Sequence, residues 1–333
     1  MRGFSTGLVI STLCVVGCGK DDPFADDGGD GGDSGSTQAS ADDDADGNPS
    51  TATAPEGDAT ADDAPAEETL DPEETGADDA VDSESGGAED TGTSACPPTP
   101  TRVVVLGDSI FACSNVGGKD NEQCSAKALH SYLSEQLGPM AYENLAVNGA
   151  VTHDIVSNQL GTVDVGAAGH VFVLIFIGGN DLQPFIYQSD DQTLDSYAEM
   201  RPELDADWAA TFEFFQDPTN FPDGTTIMMN TQYNPFDDCT APPEYLSQLK
   251  IDLLNEYNDD LVAKAEAQPN AAIADQHGPY LGHGHHFDDA MCPYYMRGSD
   301  NWMFDLIHPN VAGHANLATV LEAAADDVYA ACD

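Results

Sequence analysis

The stretch Val103-Val104-Val105-Leu106-Gly107-Asp108-Ser109-Ile110 decides the fold class of this 333-residue chain. Its uninterrupted apolar run, rich in β-branched residues, predicts a strand buried on both faces, as in a parallel sheet. The Gly-Asp-Ser sequence that follows predicts a turn at the carboxyl end of that strand. Open α/β sheets bind their ligands at this edge. Ser109 is therefore a candidate functional residue.

Strand and helix patterns alternate along the rest of the chain. Further strands are predicted at residues 142–146, 171–177, 225–230 and 271–275. Helices are predicted at residues 121–137 and at 193–215, the latter interrupted at Pro202. Apolar stripes predict two more helices, one through Leu246, Leu249, Leu253, Tyr257 and Leu261, and one through Leu317, Val320, Leu321, Ala324 and Val328 after a cap at Asn310. This alternation predicts a three-layer α/β/α sandwich.

A late aspartate and histidine complete the residue types of a serine hydrolase. Asp305 and His308 lie just before Pro309 and the final predicted helix. A serine hydroxyl becomes a good nucleophile when a base takes its proton, and a carboxylate orients that base. Two glycine- and asparagine-containing segments lie between these ends, residues 144–149 and residues 178–181.

Serine, glycine, asparagine and histidine in this order resemble the SGNH (GDSL-type) hydrolase family. The resemblance implies a flavodoxin-like order of five parallel strands and hydrolysis of esters through an acyl-enzyme, without a cofactor. It implies Ser109 as nucleophile, His308 as general base and Asp305 as its orienting partner. It also implies an oxyanion hole formed by the Ser109 N–H, the Gly149 N–H and the Asn180 side chain.

Each of these signals has an ordinary structural reading when taken alone. Ser109 follows a strand, where serine often caps a helix, while Gly149 and Asn180 are common turn residues. We expect Asp108 to hold the turn and Asp181 to play a supporting role. All four sequence blocks occur in register, and this favours the catalytic reading.

Residues 1–18 have the features of a bacterial lipoprotein signal. Arg2 is the only charged residue, a short apolar stretch follows, and Val15-Val16-Gly17-Cys18 ends the segment. We expect Cys18 to be lipidated, which would place the protein at the outer membrane or cell surface. The alternative is an ordinary cleaved signal, which would make the protein secreted or periplasmic.

Residues 19–95 predict a disordered acidic linker. They hold 25 aspartate and glutamate residues against one lysine, and they have almost no large apolar side chains. Like charges keep such a chain extended. We expect diffuse binding of divalent cations here. An EF-hand is excluded in residues 42–53, because Thr53 stands where that calcium loop needs a glutamate.

Residues 96–333 form the predicted hydrolase domain, and this domain is also acidic. The whole chain has a formal charge of −51, with 60 acidic and nine basic residues. Removing the 25 acids of the linker, Arg2 and Lys20 leaves 35 acids against seven cations, a charge of about −28. Such a charge repels nucleic acid and anionic membranes, so neither is an expected partner. We expect a monomer.

Six cysteines remain in the domain after Cys14 and Cys18 are set aside. They are Cys96, Cys113, Cys124, Cys239, Cys292 and Cys332. An even number in an exported protein predicts three disulfides, although the sequence leaves the pairing open. Cys113 with Cys124 is the simplest closure, Cys239 with Cys292 would join two loops, and Cys96 with Cys332 would tie the domain ends together.

A histidine-rich segment at residues 283–289 precedes the candidate base. His283, His285 and His286 with Asp288 and Asp289 have the ligand types of a zinc site. A flexible loop without metal is the favoured reading, because SGNH chemistry needs none. The aromatic residues Tyr294, Tyr295, Trp302 and Phe304 that follow have two readings, a substrate pocket or core. We expect His314 to be exposed or to pack between helices.

The sequence favours an exported serine esterase acting on lipid or short-chain acyl esters. Two alternatives remain open. One is a carbohydrate O-deacetylase of the same family. The other is a non-catalytic, cation-binding surface protein, because a fold by itself does not establish activity.

Overall fold

The centre of the fold is a sheet of five parallel strands. The computed structural model describes residues 96–241 and 246–329. The strands are β1 (Pro100–Gly107), β2 (Ala141–Asn144), β3 (His170–Phe176), β4 (Thr225–Asn230) and β5 (Ala271–Ala274). Their order is β2-β1-β3-β4-β5, and every neighbouring pair is parallel. This confirms the predicted flavodoxin-like sheet.

Alternate residues of the two central strands enter two different apolar cores. One core contains Val103, Val105, Phe172 and Leu174, and the other contains Val104, Leu106, Val173 and Ile175. All eight side chains are fully buried. Full burial of an aliphatic side chain of this size contributes about 1.5–3 kcal/mol. The unbroken apolar runs of β1 and β3 are explained by this packing on both faces.

Helices cover both faces of the sheet and make the predicted three-layer sandwich. They are α1 (Ser109–Ala112), α2 (Ser125–Leu137), α3 (Thr152–Asp154), α4 (Gly179–Leu182), α5 (Asp190–Gln216), α6 (Gln248–Glu266), α7 (His277–Tyr280) and α8 (Val311–Tyr329). Short 3-10 helices lie at Ser114–Val116, Leu160–Thr162 and Gln183–Tyr187, and a π-helical turn lies at Ile155–Gln159. Helices α2 and α8 pack on one face of the sheet, while α5 and α6 pack on the other.

The predicted interruption at Pro202 is wrong, because α5 continues through it as one helix of 27 residues. Proline has no N–H, so the carbonyl of Ala198 loses its usual partner. Both residues lie on the exposed face, where water can bond that carbonyl. Leu204 and Trp208 bury the opposite face of the helix. Tertiary packing therefore holds the helix together across the proline.

The predicted cap of the last helix is confirmed. Asn310 Oδ1 accepts the N–H of Ala312 at 2.8 Å and that of Gly313 at 3.0 Å. Among the described residues, no helix is both long and apolar enough to cross a membrane.

Two of the three suggested disulfides are present. Cys113 bonds Cys124 with a Cα–Cα distance of 5.5 Å, and Cys239 bonds Cys292 with one of 5.2 Å. The Cys96–Cys332 pairing stays a prediction, because Cys332 lies outside the described residues. The predicted signal with Cys18 and the whole acidic linker, residues 19–95, also lie outside the described residues.

Peptide mapping of unreduced protein tests these bridges. We expect one linked peptide pair containing Cys113 and Cys124, and another containing Cys239 and Cys292. We also expect Cys96 linked to Cys332. A reduced sample is the control, in which all linked pairs should separate. Free thiols at Cys113, Cys124, Cys239 or Cys292, or crossed pairs among them, would contradict the assignment.

Candidate active site

Ser109 is the first residue of α1, directly after β1. Asp108 caps this helix, because its Oδ1 accepts the Ile110 N–H at 2.9 Å. This agrees with the prediction that Asp108 holds the turn. The strand thus delivers the Ser109 hydroxyl to the carboxyl edge of the sheet, where the loops after the other strands meet it.

The structure brings together the three residues expected to form a triad. Ser109 Oγ lies 2.9 Å from His308 Nε2, although the residues are 199 positions apart. His308 Nδ1 lies 2.8 Å from one carboxylate oxygen of Asp305 and 2.9 Å from the other. Since a carboxylate accepts the Nδ1 proton, Nε2 carries the lone pair that faces the serine hydroxyl. This arrangement can move a proton from serine to histidine.

The Asp305 carboxylate is held by backbone as well as by the histidine ring. Its Oδ1 accepts the N–H groups of Ile307 at 3.0 Å and His308 at 2.8 Å. Burial by itself would raise the pKa of Asp305, but these bonds and the bond from the His308 ring outweigh it, so its pKa is lowered. Asp305 therefore stays ionised at neutral pH and can stabilise a positively charged His308.

The two other candidate oxyanion donors lie in adjoining loops. Asn180 Nδ2 donates to Ala150 O at 2.9 Å, next to Gly149. One N–H of the amide is used by this bond, and the other remains for a ligand. Gly149 has a backbone φ of +76°, which favours glycine. Asn180 also lines the same cavity as Ser109.

Asp181 ties these two loops together, as its predicted supporting role requires. Its Oδ2 accepts the Thr152 N–H at 2.9 Å and the Thr152 hydroxyl at 3.0 Å. Burial raises the pKa of Asp181 to about 6, against the effect of the Thr152 bonds, and nearby Asp207 adds to the rise. The bond to Thr152 holds the segment after Gly149 against α4, which carries Asn180.

An apolar cavity of about 110 Å³ has Ser109 in its wall. Polar groups of Asp108, Ser109, Asn180 and Gln232 lie in its wall. Its apolar lining comes from the 3-10 helix after α4, the loop after β4, the start of α6 and the segment between Asp305 and His308. The apolar residues of these segments that line it include Phe185, Ile186, Phe236, Leu246, Leu253, Leu254 and Ile307. Such a cavity can hold a hydrocarbon chain next to the serine hydroxyl.

The histidine-rich segment packs against the Asp305–His308 turn. His285 Nε2 bonds Leu306 O at 3.1 Å, and His283 Nδ1 bonds Asp300 O at 2.9 Å. The His283 ring also stacks on Trp302, with 3.5 Å between ring centroids. These bonds and the stacking hold the segment in place, and the carbonyl partners make both of these nitrogens donors.

Asp237, a buried residue in the loop after β4, was not among the residues predicted from the sequence. Its Oδ1 accepts the N–H groups of Gly282 at 2.9 Å, His283 at 3.1 Å and Gly284 at 2.6 Å, and its Oδ2 accepts that of His286 at 2.9 Å. Burial raises the pKa of Asp237, although these four bonds act in the opposite direction. In the sequence, residues 234–238 predict only a turn. The residues that Asp237 bonds lie 45 or more positions away, so no local pattern indicates them.

Three other residues were read incompletely or missed. His314 is buried, so the exposed alternative is wrong and the packing alternative is confirmed: its Nδ1 lies 3.3 Å from Ser125 Oγ of α2. Burial lowers the pKa of His314 to about 4. Tyr233, which donates its hydroxyl proton to Ile307 O, and Gln159, which bonds Gly107, were missed. Of the four aromatic residues, Trp302 packs against the core, whereas Tyr294, Tyr295 and Phe304 are exposed.

The ionisation of Asp108 predicts a dependence of stability on pH. Burial raises its pKa to about 7, against the bond from Ile110. The folded chain therefore keeps a proton that the unfolded chain loses near pH 4. Stabilisation from this group is complete below about pH 4 and is lost as the pH rises through about 7.

Asp108→Asn retains an acceptor for Ile110 and removes the ionisation. We expect the variant to have a higher melting temperature than the parent at pH 8, and we expect this difference to shrink towards pH 4. Thermal unfolding followed by circular dichroism between these pH values measures it. Asp259→Asn, at an exposed position of α6, is the matched control. Equal melting temperatures at pH 8 would contradict the assignment.

Comparison with known proteins places this geometry in a family. A search of curated proteins found no match. Similar solved structures include an extracellular lipase from Streptomyces rimosus (19% identity, 67% of this chain and 99% of that chain, TM-score 0.47). They also include phospholipase A1 from Streptomyces albidoflavus (18% identity, 68% of this chain and 99% of that chain, TM-score 0.46). A third is an acetylxylan esterase from Geobacillus stearothermophilus (16% identity, 68% of this chain and 94% of that chain, TM-score 0.43). The sequence model of the GDSL-like lipase/acylhydrolases matches residues 103–321, more than half of the chain, and the protein therefore belongs to this family of ester-hydrolysing enzymes.

Proposed function

We propose that this family member is an exported serine esterase in which Ser109 is the nucleophile, His308 the general base and Asp305 its orienting partner. The observation that carries the proposal is the continuous chain of bonds from Ser109 Oγ to His308 Nε2 and from His308 Nδ1 to Asp305. The N–H groups of Ile307 and His308 also hold Asp305, which supports a geometry that exists before substrate arrives.

The reaction proceeds through an acyl-enzyme. His308 Nε2 takes the Ser109 proton as Oγ attacks the ester carbonyl, and the carbonyl π electrons move to its oxygen. When the tetrahedral intermediate collapses, the protonated His308 gives its proton to the departing alcohol. Water, deprotonated by His308, then attacks the acyl-serine ester, and collapse releases the acid and returns the proton to Ser109.

The negative charge on the carbonyl oxygen requires donors that are already in place. We assign this role to the Ser109 N–H, the Gly149 N–H and the Asn180 side chain. Support comes from the bond between Asn180 and Ala150 O, which fixes the amide beside Gly149. Support also comes from Asp181, which joins the two loops through Thr152.

Esters with an apolar acyl chain are the proposed substrates. The cavity beside Ser109 is lined mainly by aliphatic and aromatic side chains, among them Leu246 and Leu253. A small acetyl group would leave most of this apolar wall uncovered. A hydrocarbon chain would instead remove it from water, at about 25 cal/mol for each Å² buried. This favours esters with a hydrocarbon acyl chain over acetylated sugars.

Export and anchoring are part of the proposal. The domain has two disulfides, Cys113–Cys124 and Cys239–Cys292. Disulfides form and persist mainly in oxidising compartments, so these bonds support export. The lipobox-like segment ending at Cys18 supports lipidation of that cysteine. We propose that the lipid anchors the protein at the cell surface and that the acidic residues 19–95 separate it from the domain.

Ser109→Ala tests the nucleophile. We expect hydrolysis of p-nitrophenyl butyrate to fall by about four orders of magnitude or more, because loss of a triad member removes the covalent pathway. Far-ultraviolet circular dichroism should be unchanged, and Ser157→Ala, at an exposed position, is the control. Activity within tenfold of the parent would contradict the proposed mechanism. Absence of activity in the parent, with acetylated sugars also tested, would favour the non-catalytic alternative.

Ile186→Trp tests the acyl cavity. Ile186 is half-buried in its wall, so a larger ring can narrow the cavity without entering the core. We expect kcat/KM for p-nitrophenyl octanoate to fall at least about tenfold, since even one methylene in a pocket matters by this order. The value for the acetate ester should stay within about twofold, and Ile186→Val is the matched control. Equal losses for both esters would place the acyl chain elsewhere, and a parent preference for acetylated xylan would favour the deacetylase.

A further inference from the structure

Exposed large apolar residues concentrate at the catalytic edge of the described domain. Ten such residues are exposed, and eight of them lie between β2 and α3, between α4 and α5, or between β5 and the first residue of α8. We call these eight the apolar rim: Val147, Tyr187, Met291, Tyr294, Tyr295, Met296, Phe304 and Val311. Tyr187 and Met291 are each 73% exposed, and Phe304 is 64% exposed. Apolar side chains exposed around a cleft can mark an interaction site.

The rim is attached to the catalytic machinery on both sides of the cavity. Tyr187 directly follows Ile186, and Phe304 lies three residues before Ile307; both isoleucines line the cavity. Val147 lies on the oxyanion side, where its N–H donates to Gly107 O at 3.0 Å. A molecule that covers these residues would therefore also cover the entrance to Ser109.

Residues 291–296 supply half of the rim and are held rigidly beside the Asp305–His308 turn. Cys292 anchors them through its disulfide to Cys239. A β-carbon built on Gly282 would lie 3.1 Å from the Met296 methyl and 2.5 Å from Tyr294 O, so this segment packs directly on Gly282. His285, three residues further on, bonds Leu306 O. The exposure of Met291 therefore belongs to a fixed surface rather than to a loose loop.

The charge distribution indicates what can cover the rim. Residues 290–299 contain no acidic residue and one cation, Arg297, in a domain of about −28. Asp288, Asp289, Asp300 and Asp305 flank them. A strongly anionic partner would be repelled by these carboxylates, whereas an uncharged apolar phase would not. Valine, methionine and phenylalanine have no hydrogen-bonding group for a sugar, while tyrosine suits a boundary between water and hydrocarbon.

We propose that the apolar rim docks the enzyme on the surface of aggregated, zwitterionic or uncharged lipid, with Ser109 facing the lipid. The proposal rests on the proposed function for its purpose, because lipid esters would then pass from the aggregate into the cavity. Binding itself requires no hydrolysis, so the two can be tested apart.

The test measures binding of the full chain to phosphatidylcholine vesicles by co-sedimentation. Every protein carries Cys18→Ser, so that no acyl anchor contributes, and Ser109→Ala, so that the vesicles stay intact. The rim variant is Met291→Ser with Tyr295→Ser, and Tyr187→Ser probes the opposite side of the cavity. Val165→Ser is the matched control, because Val165 is 45% exposed but precedes β3, at the opposite edge of the sheet.

We expect the rim variants to weaken vesicle binding at least about tenfold and the Val165 variant to leave it within about twofold. The active Cys18→Ser chain with the Met291 and Tyr295 substitutions should hydrolyse soluble p-nitrophenyl butyrate at the parent rate. No vesicle binding by the parent, or equal losses in rim and control variants, would overturn the proposal. So would rim-dependent binding to acetylated xylan in place of vesicles. Rim-dependent vesicle binding by a chain that hydrolyses no ester would instead leave the rim standing and reject the esterase.

Discussion

The catalytic edge depends on the close approach of β1 and β3 at Gly107. A β-carbon at this position would lie 2.2 Å from Phe176 O, and the φ of +144° also favours glycine. The Asp108 N–H donates to that same carbonyl at 3.2 Å, while the Gln159 amide bonds both the N–H and the carbonyl of Gly107. Because the two strands end together, α1 with Ser109 and α4 with Asn180 begin side by side. A larger residue would force the strands apart and separate Ser109 from Asn180, its proposed oxyanion donor.

Buried carboxylates hold the irregular parts of the site in place. Asp181 joins the loop after β2 to α4, and Asp237 gathers four backbone N–H groups beside the Asp305–His308 turn. A carboxylate buried without partners would be strongly destabilising, but N–H groups aimed at its oxygens compensate for lost water. Loops that have no ladder of their own thus acquire fixed positions. Tyr233 donates a further hydrogen bond to Ile307 O, which also holds the turn that carries His308.

Charge and apolar surface are separated on this domain. Among the described residues, most cations pair with carboxylates, as Arg201 does with Glu256 and Asp260, and as Lys264 does with Asp205 at 2.7 Å. The remaining acids give the domain a strong negative field, which keeps it soluble and disfavours anionic ligands. The apolar cavity and the apolar rim lie at the edge where we propose that substrate enters. An uncharged ester with a hydrocarbon chain suits both properties.

The strands, the parallel sheet and the cap at Asn310 were predictable from the sequence alone, as were the candidates Ser109, Asp305 and His308. These signals are local: an apolar run, a turn or an Asp-x-x-His spacing is visible within a few residues. Four features became visible only in the three-dimensional structure. The helix α5 continues through Pro202, and His314 is buried. Asp237 organises the histidine-rich segment, and a cavity opens beside Ser109. Each of these depends on partners far away along the chain, such as Ser125 for His314. Propensity and spacing describe a residue's neighbours in sequence, whereas burial and hydrogen bonding are set by its neighbours in space.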